Sequence, residues 1–531
     1  MTITTRARSH SKLHIGAVVA LLVTPTAFAQ LTDLTQTANV ENAGILKSLS
    51  EQVGAGVGNV MTPGSSLFII KRDPARSIRR GRQLFQRKFT HWQGLGPRTN
   101  DGSGDIHADA SIGAGLSDSC AGCHGRPRGS AGFGGDVATR PDSRDAPHLF
   151  GLGLQEMLGD EITTELRAIR ALALSDAQRT NSAVTRPLTS KGINYGTIRA
   201  FANGTFDTSA VDGVDPDLRV RPFAAQGLTI SIREFVVGAY NAEMGLDAVD
   251  PELAAAANGG RMVTPAGMVL DGRLDRLERP RASFPGQDDD GDGVLNEIPT
   301  ALVDHMEFYL LNYFKPGLYQ QTTVTQQGLA TFNQIGCGSC HIQNLTINQD
   351  RRVADVETVY DPQRGIFNQL FATASLRLVE TNDGSGHPTL KAPALQPFVV
   401  RNFFADMKRH DLGPKFHERN FNGTLQTRFM TEPLWGVGSS PPYGHDGRSI
   451  NLREVILRHG GEALASRNAF NALSEASKST IFEFLNSLVL FPPDDTASNL
   501  DPGNSSAVGF PQRGHGSIRL APLFNNPNEG E

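Results

Sequence analysis

The sequence is poor in cysteine, in tryptophan and in long apolar runs, and it carries no excess of positive charge. Its 531 residues include four cysteines, and two Cys-x-x-Cys-His pentapeptides, Cys120–His124 and Cys337–His341, use all of them. No cysteine is left for a structural disulfide or a free catalytic thiol. Lysine and arginine number 50 against 55 acidic residues, a formal net charge of −5, so the chain offers no basic nucleic-acid surface. The apolar run Ile15–Val23 is too short to span a bilayer, which needs about 20 residues. Arg6, Arg8 and Lys12 precede it and Ala27, Phe28 and Ala29 follow, so it reads as an export signal cleaved near Ala29. No other stretch is apolar enough to cross a membrane. What remains is a soluble composition, 39% hydrophobic and 20% charged, at a length that calls for two or three domains.

The two pentapeptides carry the chemistry. Two thiols one short turn apart can each form a thioether to a haem vinyl group, and the histidine that follows puts an imidazole under the iron. Cys120, Cys123, Cys337 and Cys340 are therefore expected to attach two covalently bound haem c groups, with His124 and His341 as proximal ligands. A Cys-x-x-Cys can also be a zinc half-site or a redox dithiol. Repetition, the closing histidine and the export signal weigh against both. Haem is attached outside the cytoplasm, so the expected address is the periplasm, or the medium.

Along the chain the pattern predicts a mainly α fold: two tandem cytochrome c-like domains with long irregular loops, each holding one covalent haem. The expected divisions are a signal peptide over 1–29, a leader over 30–75, an N-terminal haem domain over 76–318, a C-terminal cytochrome c domain over 319–492 and a disordered tail over 493–531. Helices are expected over 76–89, 161–174, 230–244, 306–314, 323–335 and 473–490. Loop or short extended structure is expected over 175–229 and 345–430, and a Gly/Pro-rich linker up to Gly286. Gly328 and Phe332 precede the second motif as Gly81 and Phe85 precede the first, a weak internal repeat.

Two further constellations stand out. Asn451 with Glu454 forms a helix N-cap pair, and Leu452, Val455, Ile456 and His459 then share one face. His459 is either an iron ligand or a core histidine that suits the helix dipole; Met430, His410 and His417 are competing ligands. Asp288, Asp290, Asp292 and Gly293 resemble the start of a calcium loop. The closing carboxylate is displaced, because position 12 would be Pro299 and Glu297 stands at position 10. The alternative is a solvated acidic loop.

From about residue 76 to about 492 the sequence resembles the bacterial di-haem cytochrome c peroxidase and MauG superfamily, and within it the di-haem oxidoreductase (thiol-oxidoreductase-like) branch. The resemblance rests on Pro433–Gly436, His445–Arg448, Leu452–Val455 and His459–Glu462 in the second half. In the first half it rests on Gln93–Pro97, the first haem motif and Leu149–Leu154. In that family the sixth ligand of the C-terminal haem is a Met or Tyr, and the corresponding position here is His459. The resemblance also implies a distal side of the first haem, for which His148, Glu156, Arg221 and Phe223 are candidates beside their ordinary roles in packing or ion pairing. Of these, Glu156, Phe223 and His148 are carried as catalytic candidates. The bridging Trp of the family has no clear counterpart; the two tryptophans are Trp92 and Trp435.

The expected function is that of a periplasmic di-haem c-type oxidoreductase, with peroxidase-like reduction of hydrogen peroxide by electrons from a small donor protein. Rubber oxygenases are distant relatives, so oxidation or cleavage of an organic substrate at the same iron is the alternative enzyme. A plain di-haem electron carrier is the non-enzymatic one, and it would have both irons saturated by protein ligands.

Overall fold

A computed structural model describes residues 46, 47, 49, 60–96, 117–124, 145–312, 321–352, 354–358, 374–378, 396–420 and 423–489. The expected export signal, Pro97 of the first-half resemblance and the expected C-terminal tail lie outside these residues. The chain divides into two compact units, Met1–Leu46 and Lys47–Glu531, and everything below concerns the second.

The fold is mainly α, with eleven α-helices and only small sheets among the described residues. The helices are α1 (Ser66–Arg72), α2 (Pro74–Gln86), α3 (Cys120–His124), α4 (Leu152–Thr180), α5 (Ile232–Met244), α6 (Pro251–Ala257), α7 (Thr300–Leu311), α8 (Thr323–Gln334), α9 (Leu452–Arg458), α10 (Leu464–Ala472) and α11 (Glu475–Asn486). Their starts are chemically explicit. Asp73 accepts from Arg76 N–H ahead of Pro74 at the first position of α2. Ser231 accepts from Glu234 N–H at 3.1 Å to open α5, and Thr322 with Thr325 forms a reciprocal capping box on α8.

The same crossing occurs twice. α2 packs on α7, and α8 packs on α11. Each crossing is close because a glycine sits at the contact. A Cβ on Gly81 would collide with Tyr309 Cβ and the His305 carbonyl oxygen; one on Gly328 would collide with the Thr480 carbonyl oxygen and lie 2.7 Å from Phe484 Cβ. One turn on, Phe85 meets Tyr309 edge-on at 5.9 Å and Phe332 meets Phe484 edge-on at 5.5 Å. The Gly/Phe spacing read in the sequence is thus the contact line of two equivalent helix pairs.

Three larger apolar cores follow among the described residues. One is built on α2, α5 and α7 and packs against Cys120. Another is built on α8, α11, Phe404 and Tyr443 and packs against Cys337. The third lies between them and draws on both sides of residue 318: Leu154, Met157 and Leu158 of α4, Leu345 and Ile347, Phe403 and Trp435. Arg233, 1% exposed, pins the first core from within through Asp250 at 2.6 Å, Asp304 at 2.8 Å and Glu307 at 3.0 Å, joining α5, the start of α6 and α7. Breaking one partner of such a buried set costs about 3–5 kcal/mol.

Three stretches differ from the sequence expectation. The helix expected over 161–174 is a single 29-residue helix, because Gly159 leaves room for Pro222 and Val220 and does not interrupt it. The segment after 175, expected to mix loop and short extended pieces, is more regular than that and forms an antiparallel meander, β1 (Val184–Ser190), β2 (Ile193–Ala200) and β3 (Phe206–Asp207). Lys191 and Gly192, both at positive φ, make the two-residue turn that joins β1 to β2. The expected linker before Gly286 holds α6, capped by Asp250 ahead of Pro251, and a hairpin of β4 (Arg261–Val263) with β5 (Val269–Asp271).

Candidate functional site

Both pentapeptides open onto one cavity of about 1390 Å³. That exceeds the roughly 300–1,000 Å³ of a single ligand pocket. The first motif forms α3, held against the end of α2 by Phe89 N–H donating to the Asp118 carbonyl at 2.8 Å. The second follows Gly336, at φ 90°, and makes one tight turn in which His341 N–H donates to the Cys337 carbonyl at 3.1 Å. All four cysteines are unbridged. Burial pushes the Cys120 thiol up to about 12 and the Cys337 thiol up to about 11, which disfavours the thiolate that zinc binding or disulfide exchange needs.

Three imidazoles on this cavity share one arrangement. His124 donates from Nδ1 to the Pro147 carbonyl at 2.7 Å, His341 to the Phe404 carbonyl at 2.9 Å, and His459 to the Val455 carbonyl at 2.7 Å. A carbonyl only accepts, so in each ring the proton sits on Nδ1 and the Nε2 lone pair is left for a metal. Burial lowers all three pKa values, His459 to about 4, and keeps the rings neutral. His459 also lies close enough to His341 for the latter to disfavour a charge on it.

The placement of His459 is local. Asn451 Oδ1 accepts from Glu454 N–H and Glu454 Oε2 accepts from Ile450 N–H, both at 2.9 Å, so the N-cap pair of the sequence starts α9. His459 ends it. Phe416 closes on the ring edge-on at 5.4 Å and is itself held by the Arg458 guanidinium 4.4 Å from its centre. The two glycines that follow serve the neighbouring loop: Gly460 N–H donates to the Leu412 carbonyl at 2.8 Å, and a Cβ on Gly461 would collide with the Asp411 carbonyl oxygen.

The other cavity histidines lack that arrangement. His410 contacts Asp406 at 2.8 Å and Glu462 at 2.7 Å, one through each nitrogen. His445 stacks on Phe429 at 4.0 Å and reaches Glu418 at 3.2 Å. His148 donates from Nε2 to the Trp435 carbonyl at 3.0 Å, and its Nδ1 accepts from Phe150 N–H at 3.3 Å. This is the opposite tautomer from the three above, with no lone pair left over. Away from the cavity lining, His417 is paired to Asp411 at 2.7 Å. Met430 lines the cavity and packs against Gly227.

Of the remaining candidates, Phe223 lines the cavity and packs on Phe235 at 5.9 Å. Glu156 does not line it. Its neighbour Gln155 does, whereas Glu156 accepts from Ile232 N–H at 2.7 Å at the start of α5 and pairs with Arg351 at 2.8 Å. Arg221 is held by Asp215 at 2.5 Å and Asp217 at 2.8 Å. Among the cavity residues not singled out from the sequence are Tyr240, Phe416 and Glu278. Tyr240 belongs to the apolar stripe of α5 and Phe416 to a segment read as loop, so neither carries a motif. Glu278 sits beside Gly238 of α5, and burial raises its pKa.

Buried donors on residues that line the cavity, among them the Trp435 indole N–H and the Tyr240 hydroxyl, have no hydrogen-bond partner in the protein. Unpaired buried donors are costly, about 1–3 kcal/mol each, so an acceptor brought by a bound group suits them. The cavity size, the two pairs of unbridged thiols, the neutral imidazoles and these donors together fit two haems.

The loop expected to resemble a calcium site also has a defined geometry. Asp288 Oδ1 accepts from Gly291 N–H at 2.7 Å and its Oδ2 from Gly293 N–H at 3.1 Å. Burial, with repulsion from Asp290, Asp247 and Asp292, pushes the Glu297 carboxyl up to about 10.

Among the described residues no helix is long and apolar enough to cross a membrane. No curated protein matches the chain. Residues 339–488 match the family described as "Di-haem oxidoreductase, putative peroxidase". The matched stretch covers 150 of the 531 residues, begins within the second pentapeptide and contains Cys340, His341, Trp435 and His459; over that stretch the chain is similar to the di-haem oxidoreductases.

Proposed function

We propose that the protein is a c-type di-haem oxidoreductase, exported to the periplasm or the medium, that reduces hydrogen peroxide with electrons from a small donor protein. The observation that carries this reading is an asymmetry. The second pentapeptide has a partner imidazole, His459, with the same free Nε2; among the described residues no further cavity histidine has that arrangement, since His148 spends both nitrogens on the backbone and His445 Nε2 faces Glu418. In this reading Cys120, Cys123 and His124 hold the first haem in an N-terminal domain over about 76–318. Cys337, Cys340, His341 and His459 hold the second in a domain over about 319–492. The middle core, with Trp435 and Phe403, lies between the two.

When bound, the two haems supply one-electron storage and an iron at which a peroxide oxygen is reduced. Each hydrogen peroxide converted to two waters takes two electrons and two protons. The residues of the chain have the following work. Val455 fixes the His459 tautomer, and Phe416 with Arg458 holds its ring, so the second site is saturated. Phe223 and Phe235 give the first site an apolar wall and no competing ligand. Glu278, a carboxyl of raised pKa at the cavity, is the group suited to pass protons. Glu156 acts at one remove, by capping α5. His148 is a positioning residue: its neighbour Pro147 orients His124, and its own ring ties that segment to Trp435.

The test is to mix the fully reduced protein anaerobically with hydrogen peroxide, and separately with oxygen, while recording haem spectra. Rapid oxidation of both haems by peroxide, at two electrons per molecule, is expected. Reaction with oxygen alone, in the presence of an organic substrate, would replace this reading with the oxygenase, and no reaction with either would leave the carrier.

A further inference from the structure

We propose that Asp247, Asp290 and Glu297 form a calcium site that locks the end of α5, the helix whose last turn walls the cavity. Ligand atoms of these three carboxylates all lie within 4.8 Å of one another, and those of Asp288, Asp290 and Asp292 do so as well, so Asp290 belongs to both groups. An acidic cluster alone proves nothing, since solvated carboxylates tolerate one another. Glu297 is the decisive residue. It is 0% exposed, its Oε2 accepts from Asp247 N–H at 2.6 Å, and its Oε1 is buried with no hydrogen-bond partner. A carboxylate oxygen buried beside two further carboxylates must be neutralised, by a proton or by a cation held between them, and the convergence of three carboxylates on one point suits the cation.

The donor set selects the cation. Every candidate donor is oxygen, with neither imidazole nor thiolate among them, which excludes a zinc preference. Carboxylates drawn from a loop and from a distant segment make an irregular shell, which calcium accepts and magnesium, needing near-ideal octahedral geometry, does not. The missing carboxylate at position 12 of the loop is explained by Asp247: the site is closed from 50 residues upstream of Glu297 rather than from the end of the loop.

The surroundings fit the same reading. Asp247 follows α5 after two residues, and Leu246 N–H donates to the Tyr240 carbonyl at 2.9 Å. Ile298 N–H donates to the Asp247 carbonyl at 3.1 Å. Gly94, at φ 93°, packs directly on Glu297, where a Cβ would lie 2.5 Å from Cγ. Gly96 N–H donates to the Met244 carbonyl at 3.1 Å. The Gln93–Gly96 segment, Glu297 and the end of α5 thus meet around the proposed ion, and Tyr240 and Met244 face the cavity.

The experiment is isothermal titration of the chelator-treated, haem-loaded full chain with calcium chloride and, separately, magnesium chloride, with thermal unfolding followed in parallel. Calcium should bind with one site that raises the melting temperature, and magnesium should bind much more weakly. Glu297→Gln should weaken that site by about tenfold or more. Asp290→Asn, at a half-buried position, should do the same and serves if Glu297→Gln does not fold. Asp289→Asn, whose side chain turns to Gln287 at 3.2 Å, should leave it unchanged. Absence of calcium binding, equal affinity for magnesium, or unchanged binding in the two variants would each overturn the proposal. Haem content and peroxide reactivity are measured separately, so failure here leaves the redox reading standing.

Discussion

Replacing Gly328 by alanine separates close helix crossing from ordinary helix propensity, because the two predict opposite signs. In an open helix interior, glycine to alanine gains about 1 kcal/mol. At Gly328 the new Cβ would collide with the Thr480 carbonyl oxygen and lie 2.7 Å from both Thr480 C and Phe484 Cβ. The first obstacle is backbone and cannot rotate away, so α8 and α11 must separate. Overpacking of this kind costs about 3 kcal/mol or more, leaving a net loss of about 2 kcal/mol or more after the propensity gain. For a domain of about 150–250 residues that is a fall of about 4–8 °C in melting temperature. Gly81→Ala should fall similarly, since its Cβ would meet Tyr309 Cβ and the His305 carbonyl oxygen. Gly159→Ala is the control: its nearest neighbours, Pro222 Cγ and Val220 Cγ1, are 3.4 Å away, so it should be neutral or gain up to about 1 kcal/mol. The assay is thermal unfolding of the haem-loaded variants by circular dichroism. A Gly328→Ala protein as stable as the parent, or more so, would refute the close crossing.

His459→Gly should turn one low-spin haem high-spin in the electron paramagnetic resonance spectrum while haem content stays at two per chain; His459→Met should stay low-spin and raise that haem's potential, because a thioether is the weaker donor to ferric iron. An untouched low-spin signal in His459→Gly would make Met430 the next candidate ligand. Denatured protein should retain two haems by pyridine haemochrome assay, and Cys120→Ala with Cys123→Ala should retain one; loss of all haem on unfolding would end the covalent reading.

Local signals were the legible ones. The Cys-x-x-Cys-His spacing, the Asn451/Glu454 cap and the Gly/Phe spacing each act within one or two turns, and each appears in the structure as a contact. The meander after α4 was legible only as short extended pieces: Lys191–Gly192 is a two-residue turn signal, but β1 carries Arg186 and Ser190 on the same face as Leu188, which blurs the alternation. Long-range partners left no trace. That Glu156 serves Ile232 and Arg351, or that Glu297 meets Asp247, depends on packing between segments 50 or more residues apart. His148 shows the limit most plainly: residue type and neighbourhood admit a catalytic role, and the Trp435 carbonyl, 287 residues away, accepts its Nε2–H hydrogen bond.

The account rests on one saturated and one open iron, and carbon monoxide titration of the dithionite-reduced protein tests that directly. With two haems quantified per chain, one carbon monoxide should bind, at the haem held by Cys120, Cys123 and His124, and the Cys120→Ala/Cys123→Ala variant should bind none. Two equivalents in the parent protein, or none, would contradict the account.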